Sequence, residues 1–260
     1  MLCPSCQTAA PPDATGRCSH CGYLAAPVPP PGYFPTAYVS PQAPTGIATA
    51  VQVLLGVSAL FILLVMGVDI WSRGDSGSDG TAAALGLVSL LNLALYAATG
   101  ICFIVWAFKS AKLSQILAPG RQPLAPGWAI GGWFIPLGNL VLPRLVLGGI
   151  WRAALPLQPE PPLRKPPTLL VTFWWLAFVG SELIDAAGTM LGAVWAGLDH
   201  ATLTDSQQTA VLVVSTVGNL IRLVAAVLAV LMIRRITAMQ QVRILQGPAP
   251  QFPYQPLSHL

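Results

Sequence analysis

Four cysteines open the chain in a pattern that can bind a metal. Cys3 and Cys6 form one CxxC and Cys18 and Cys21 a second, with eleven residues between them. Two tight knuckles at this spacing bring four thiolates into the tetrahedral shell that Zn²⁺ accepts. Such a shell leaves no position open, so the expected site is structural, with Cys3, Cys6, Cys18 and Cys21 as ligands. Residues 1–24 are too few to bury a core, and metal binding must supply their folding free energy. Gly22 follows the second knuckle, where a turn with positive φ suits glycine, and Gln7 holds the equivalent place after the first, a less comfortable choice. His20 lies inside the second knuckle and is surplus to four sulfurs. The plainer alternative is a redox pair or thiols without metal. Cys102 stands alone in an apolar run and reads as a small packing residue.

A second set of chemistry-bearing residues lies in apolar surroundings. Glu182 and Asp185 are three apart and share a helical face. Arg222 sits in the next apolar segment. At 1.5 Å per residue the acids lie roughly 21–26 Å into their segment and Arg222 roughly 18 Å from the far end of its own. Antiparallel neighbours would bring these charges to one depth. An unpaired charge there costs a few kcal/mol, so Arg222 is expected to pair with Glu182 or Asp185. The pair can be read as a device fixing helix register or as a substrate or proton site. Gly188 and Gly192 form a GxxxG that permits close helix approach. No catalytic constellation accompanies them. His20, His200 and His259 are scattered, and there is no GxSxG, HExxH, phosphate-binding loop or dinucleotide fingerprint. A non-enzymatic protein is therefore expected.

The elements that carry these residues follow from composition. Of 260 residues, 54% are hydrophobic and 8% charged, against about 25% charged in soluble domains. Mean hydropathy is +0.66. These values place the chain in the membrane class, with the lipid bilayer as its first partner. The net charge of +4 is modest, and no cluster interleaves Lys or Arg with aromatics, so no nucleic acid is expected. The start lacks the basic and apolar regions of a signal peptide, so the first apolar segment should be an uncleaved anchor. Residues 1–24 read as a zinc ribbon, 25–46 as a Pro-rich disordered linker, 47–240 as the membrane domain and 241–260 as a disordered tail.

Ile47–Trp71, Thr81–Phe108, Thr168–Leu198 and Thr209–Ile233 are each long enough to cross a bilayer. Trp128–Trp151 is apolar too, but Pro136 and Pro143 interrupt it and it carries Arg144. Basic residues decide whether it crosses. If it does not, Arg17, Lys109, Lys112, Arg121, Arg152, Arg164, Lys165, Arg234, Arg235 and Arg243 share the N-terminal side, against Arg73 alone. If it does, the larger share falls opposite. The first arrangement puts both termini in the cytoplasm, which also keeps the thiols reduced. Trp71 and Trp195 then lie near outer ends of spans, and Trp106, Trp174 and Trp175 near inner ends, as indoles prefer. Trp128–Trp151 becomes an interfacial or re-entrant element on the cytoplasmic side.

That segment, GWAIGGWFIPLGNLVLPRLVLGGIW, resembles the signature of a bacterial membrane family, domain of unknown function 4328, seen mostly in actinobacteria. The matching positions are Gly127, Trp128, Gly132, Trp133, Phe134, Pro136, Asn139, Leu140, Pro143, Ile150 and Trp151. Where the family pattern has an aromatic and a polar residue after the second proline, this chain has Arg144 and Leu145. Gly149 replaces an acidic residue. The resemblance covers residues 46–240 and implies no activity. Residues 1–24 separately resemble short zinc ribbons fused to bacterial membrane proteins.

The expected molecule is thus an all-α, four-span protein of the cell membrane with a cytoplasmic four-cysteine zinc ribbon. A scaffold, assembly or sensing role, with the ribbon recruiting a protein partner, is the leading expectation. A small transporter or channel using Glu182, Asp185 and Arg222 is the alternative.

Overall fold

The computed structural model describes residues 6–8, 17–21, 41–71, 80–120, 122–157, 168–199 and 204–247. The chain divides into two units, Met1–Ser40 and Pro41–Leu260. Most of the expected linker, and the tail beyond residue 247, lie outside the described residues.

The second unit is all helix. Its elements are α1 (Thr45–Trp71), α2 (Gly80–Leu117), α3 (Trp128–Gly131), a single 3-10 turn (Gly138–Leu140), α4 (Leu142–Ala154), α5 (Leu169–Asp199) and α6 (Asp205–Leu245). Four of them, α1, α2, α5 and α6, are long and apolar enough to cross a membrane. Their outward faces carry Leu60, Leu64, Leu90, Leu183 and Met190, all largely exposed. Such surfaces need lipid to cover them, because tails of lipid are as apolar as leucine. Hydroxyls within these helices bond to carbonyls one turn back, as Ser58 does to Leu54 and Thr99 to Leu95. α6 starts sharply at a capping box. Thr204 Oγ1 accepts from the Gln207 main-chain N–H, and Gln207 Oε1 accepts from the Thr204 N–H at 2.9 Å.

α5 packs along α6, α6 on α1, and α1 on α2. Glycines let α5 and α6 approach. A Cβ added at Gly188 would stand 3.0 Å from a Val214 methyl, and one at Gly192 3.7 Å from Val211. The GxxxG therefore lies in the α5–α6 contact. α2 and α5 are not among the helix pairs whose main chains come close together, and side chains bridge them instead.

Trp128–Trp151 is not one continuous helix. It makes α3, the 3-10 turn and α4, none of spanning length. Pro143 opens α4 in its first turn, where its missing N–H costs nothing. Pro136 precedes a tight turn in which Leu137 has φ +62 and the Gly138 N–H reaches the Pro136 carbonyl at 2.7 Å. Gly132 has no alternative: a Cβ there would lie 2.8 Å from the Trp128 carbonyl and 3.0 Å from Leu142 Cβ. Nine of the 13 residues of α4 are buried, and α4 is wedged among α2, α5 and α6. The stretch before it behaves differently, with Phe134, Leu137 and Val141 directed outward.

The core sits at this end of the bundle. Val51, Trp106, Ala111, Val146, Leu147, Ile150, Met232, Ile233 and Ile236 are buried together. α2 and α6 both run past the limits expected from hydropathy. α2 continues from Phe108 to Leu117, and α6 from residue 240 to Leu245, so part of the expected tail is helix. The added turns are held by buried polar contacts that hydropathy does not register. Trp106 Nε1 donates to Thr237 Oγ1 at 3.4 Å, Gln240 Nε2 to the Ser110 carbonyl at 3.4 Å, and Arg243 Nη2 to the Leu117 carbonyl at 2.8 Å. Arg243 also donates to the Gly247 carbonyl, and Gly247 takes φ +74 just past the helix end.

Candidate functional site

In the first unit, Cys6, Cys18 and Cys21 bring their sulfurs within 4.8 Å of one another. Cys6 Sγ and Cys18 Sγ are 3.9 Å apart. A tetrahedral shell with Zn–S bonds of about 2.3 Å has sulfur–sulfur edges of about 3.8 Å, so these thiols fit such a group. Gln7 takes φ +57 directly after Cys6, the left-handed turn that a knuckle needs. Thr8 Oγ1 lies 2.7 Å from Cys6 Sγ. His20 is exposed and stands outside the sulfur cluster. Cys3, the fourth expected ligand, and Gly22 lie outside the described residues.

In the second unit the three charged residues stand together. Arg222 Nη2 bonds to Asp185 Oδ2 and lies 3.5 Å from Glu182 Oε1. The two helices count alike from their shared connection, so Arg222 on α6 reaches the level of the acids on α5. Arg222 Nε is buried without a hydrogen-bond partner among the described residues. Gly218, one turn before Arg222, faces Asp185 so closely that a Cβ would collide with the carboxylate.

The two acids have different surroundings. Glu182 and Arg222 line a cavity of about 280 Å³ between α1, α2, α5 and α6, which Asp185 does not line. The walls are aliphatic and aromatic: Leu55, Ile62, Phe103, Ile104, Trp133, Trp174 and Phe178, with small Ala225, Ala226 and Ala229. Tyr96 and Glu182 line the cavity together. Ser58 and Thr99 add hydroxyls 3.4 Å apart. A second, more polar hollow adjoins the first on the far side of Tyr96. It is lined by Ser58, Ser89, Asn92, Tyr96, Glu182 and Arg222.

Aromatic rings close the cavity at the end nearest the core. Phe103 stands 5.3 Å from Trp174 and 6.0 Å edge-on from Trp133. Trp133 meets Trp175 at 5.8 Å and Phe178 at 6.0 Å, and Trp174 stacks on Phe178 at 5.8 Å. These rings join α2 to α5 where the helix backbones do not meet. Trp175 Nε1 donates to the Leu140 carbonyl at 3.0 Å, which ties the turn before α4 to α5. Arg144 Nη2 donates to Thr172 Oγ1 at 3.0 Å.

The signature residues thus divide. Trp133 lines the cavity. Pro143 and Trp151 are buried around α4, and the Arg235 guanidinium lies over the Trp151 ring at 5.9 Å. Trp128, Pro136 and Asn139 are exposed. Sequence reasoning did not reach Tyr96, Thr99, Asn92, Phe103 or Phe178. A signal existed: Asn92, Tyr96, Thr99 and Phe103 recur at helical spacing and mark one face of an otherwise aliphatic α2.

A sequence model of the family described as "Domain of unknown function (DUF4328)" matches residues 75–238. The matched stretch holds the charge cluster, Tyr96 and the Trp/Pro segment. No curated protein and no solved structure matches the chain.

Proposed function

The chain belongs to the DUF4328 family, and on that basis we propose that it is a non-enzymatic sensing component of a bacterial cell membrane. In this reading the four-helix part holds a small membrane-soluble ligand, and a zinc ribbon on the N-terminal side recruits a cytoplasmic protein partner. The observation that carries it is the 280 Å³ cavity bordered by Glu182 and Arg222. It is a largely apolar space with a few convergent polar groups, which is how small-molecule sites are built. The ribbon is supported by three sulfurs within 4.8 Å of one another, two of them 3.9 Å apart. With Cys3 as fourth ligand, the ion would give the knuckle its fold and leave no coordination site for chemistry. The excess of Lys and Arg on the N-terminal side supports a cytoplasmic location for both termini.

Cross-linking the full chain in cells, followed by affinity capture, tests the reading. One protein should be enriched with the native chain and lost with Cys18→Ser/Cys21→Ser. Equal capture by both would remove the ribbon from the recruiting role.

The polar hollow lined by Glu182 and Arg222 supports a second reading, a small transporter or channel using Glu182 and Arg222 together with Asp185, which is bonded to Arg222. Solute or proton flux in proteoliposomes, lost in Glu182→Gln, would establish it in place of the sensing role.

A further inference from the structure

The two acids and one arginine do not balance. Arg222 is bonded to Asp185, which lies off the cavity, while Glu182 is farther from the guanidinium and faces the cavity. One negative charge is left to be met inside an apolar bundle, where an unmet charge costs a few kcal/mol. The rings of Trp133, Trp174 and Phe178 line the same cavity. Aromatic faces carry negative quadrupole potential and attract cations, most strongly when water is excluded. A cavity that holds a carboxylate and aromatic walls is complementary to a monovalent cation with an apolar body.

We propose that the cavity of α1, α2, α5 and α6 is a binding site for an amphiphilic organic cation of the ammonium class, with the charged nitrogen at Glu182 and the apolar body against Trp133, Trp174 and Phe178. This rests on the reading of the cavity as a ligand site and adds the charge of the ligand.

The test uses the full chain in lipid nanodiscs and two probes of one shape. Benzyltrimethylammonium carries the charge, and neopentylbenzene is its neutral isostere. Tryptophan fluorescence reads occupancy, since Trp133 and Trp174 line the cavity. The ammonium probe should bind about tenfold or more tightly than the isostere, as expected of a charge-assisted contact. Glu182→Gln should erase that preference while keeping isostere binding, which also shows that the variant is folded. Glu182→Asp should restore part of it. Equal binding of the two probes to the native chain would overturn the cation assignment and leave the cavity as an apolar site. Binding of neither would overturn the ligand reading as well.

Discussion

Asp185 on α5 lies against Gly218 on α6, with no room between them for a methyl group. The glycine sets how near the helices come at the level of the charges, and that closeness lets Arg222 reach across one turn later. Gly218→Ala should push the Asp185 carboxylate aside and destabilise the fold by about 1–3 kcal/mol, the usual cost of overpacking. Gly180→Ala is the matched control, since nothing lies within 4 Å of a Cβ at that position. Thermal unfolding in detergent of the two variants checks this, and equal midpoints would show that the helices part without cost.

Removing Arg222 should be worse than removing the whole cluster. Arg222→Met leaves two carboxylates facing each other without their cation. Arg222→Met/Glu182→Gln/Asp185→Asn leaves only neutral groups. The single variant should lie about 2 kcal/mol below the triple, a value reduced from that of deeply buried pairs because these side chains keep partial access. Unfolding midpoints give the order, and a single variant as stable as the native chain would mean that Arg222 does not depend on the acids.

Purified protein should carry about one Zn²⁺ per chain through four thiolates. Cys18→Ser/Cys21→Ser should abolish the metal and leave the four helices inserted. Cys102→Ser should retain it, because that residue packs on α2 against the core, in the other unit. Elemental analysis of chelator-free preparations decides, and metal-free native protein would dismiss the ribbon.

Both termini should lie on one side, with Arg73–Gly80 and Asp199–Gln208 on the other. Single cysteines introduced into a cysteine-free chain, labelled with an impermeant reagent on intact cells, report the sides. A cysteine at Leu163 should stay unlabelled from outside. Labelling there would mean that Trp128–Trp151 crosses after all.

Arg243 should anchor the ends of α2 and α6. Its guanidinium is 2% exposed and serves the Leu117 and Gly247 carbonyls. Arg243→Met should cost about 2 kcal/mol by leaving those carbonyls unsatisfied. Hydrogen exchange should rise in Leu113–Leu117 and Met239–Leu245 while the α5–α6 packing around Gly188 and Gly218 stays protected. Uniform protection would assign the two ends to independent turns.

The membrane class and the four long helices were legible because apolar runs of this length have few other uses in a chain so poor in charge. The meeting of Glu182, Asp185 and Arg222 was legible from counting residues along two antiparallel helices joined by a short connection. What counting cannot supply is the azimuth of each side chain. It placed Glu182 and Asp185 on one face but could not tell that only Glu182 borders a cavity. The true ends of α2 and α6 were hidden for a related reason. Lys109, Arg234 and Arg235 look like the end of an apolar segment, yet Ser114, Gln240 and Arg243 are buried with hydrogen bonds that hydropathy does not register. The aromatic cage was hidden because Phe103, Trp133 and Phe178 come from three separate elements.

α6 is one unbroken rod from the cavity wall to the end that Arg243 fastens. Arg222 and Arg243 are separated by 21 residues, about 32 Å at 1.5 Å per residue. A guest that shifted Arg222 would therefore act on a long arm. A tilt of about 5° pivoting there displaces Arg243 by about 3 Å, roughly the length of the hydrogen bond that joins it to α2. Leverage of this kind converts a small rearrangement among buried side chains into the making or breaking of one discrete fastening at the far end.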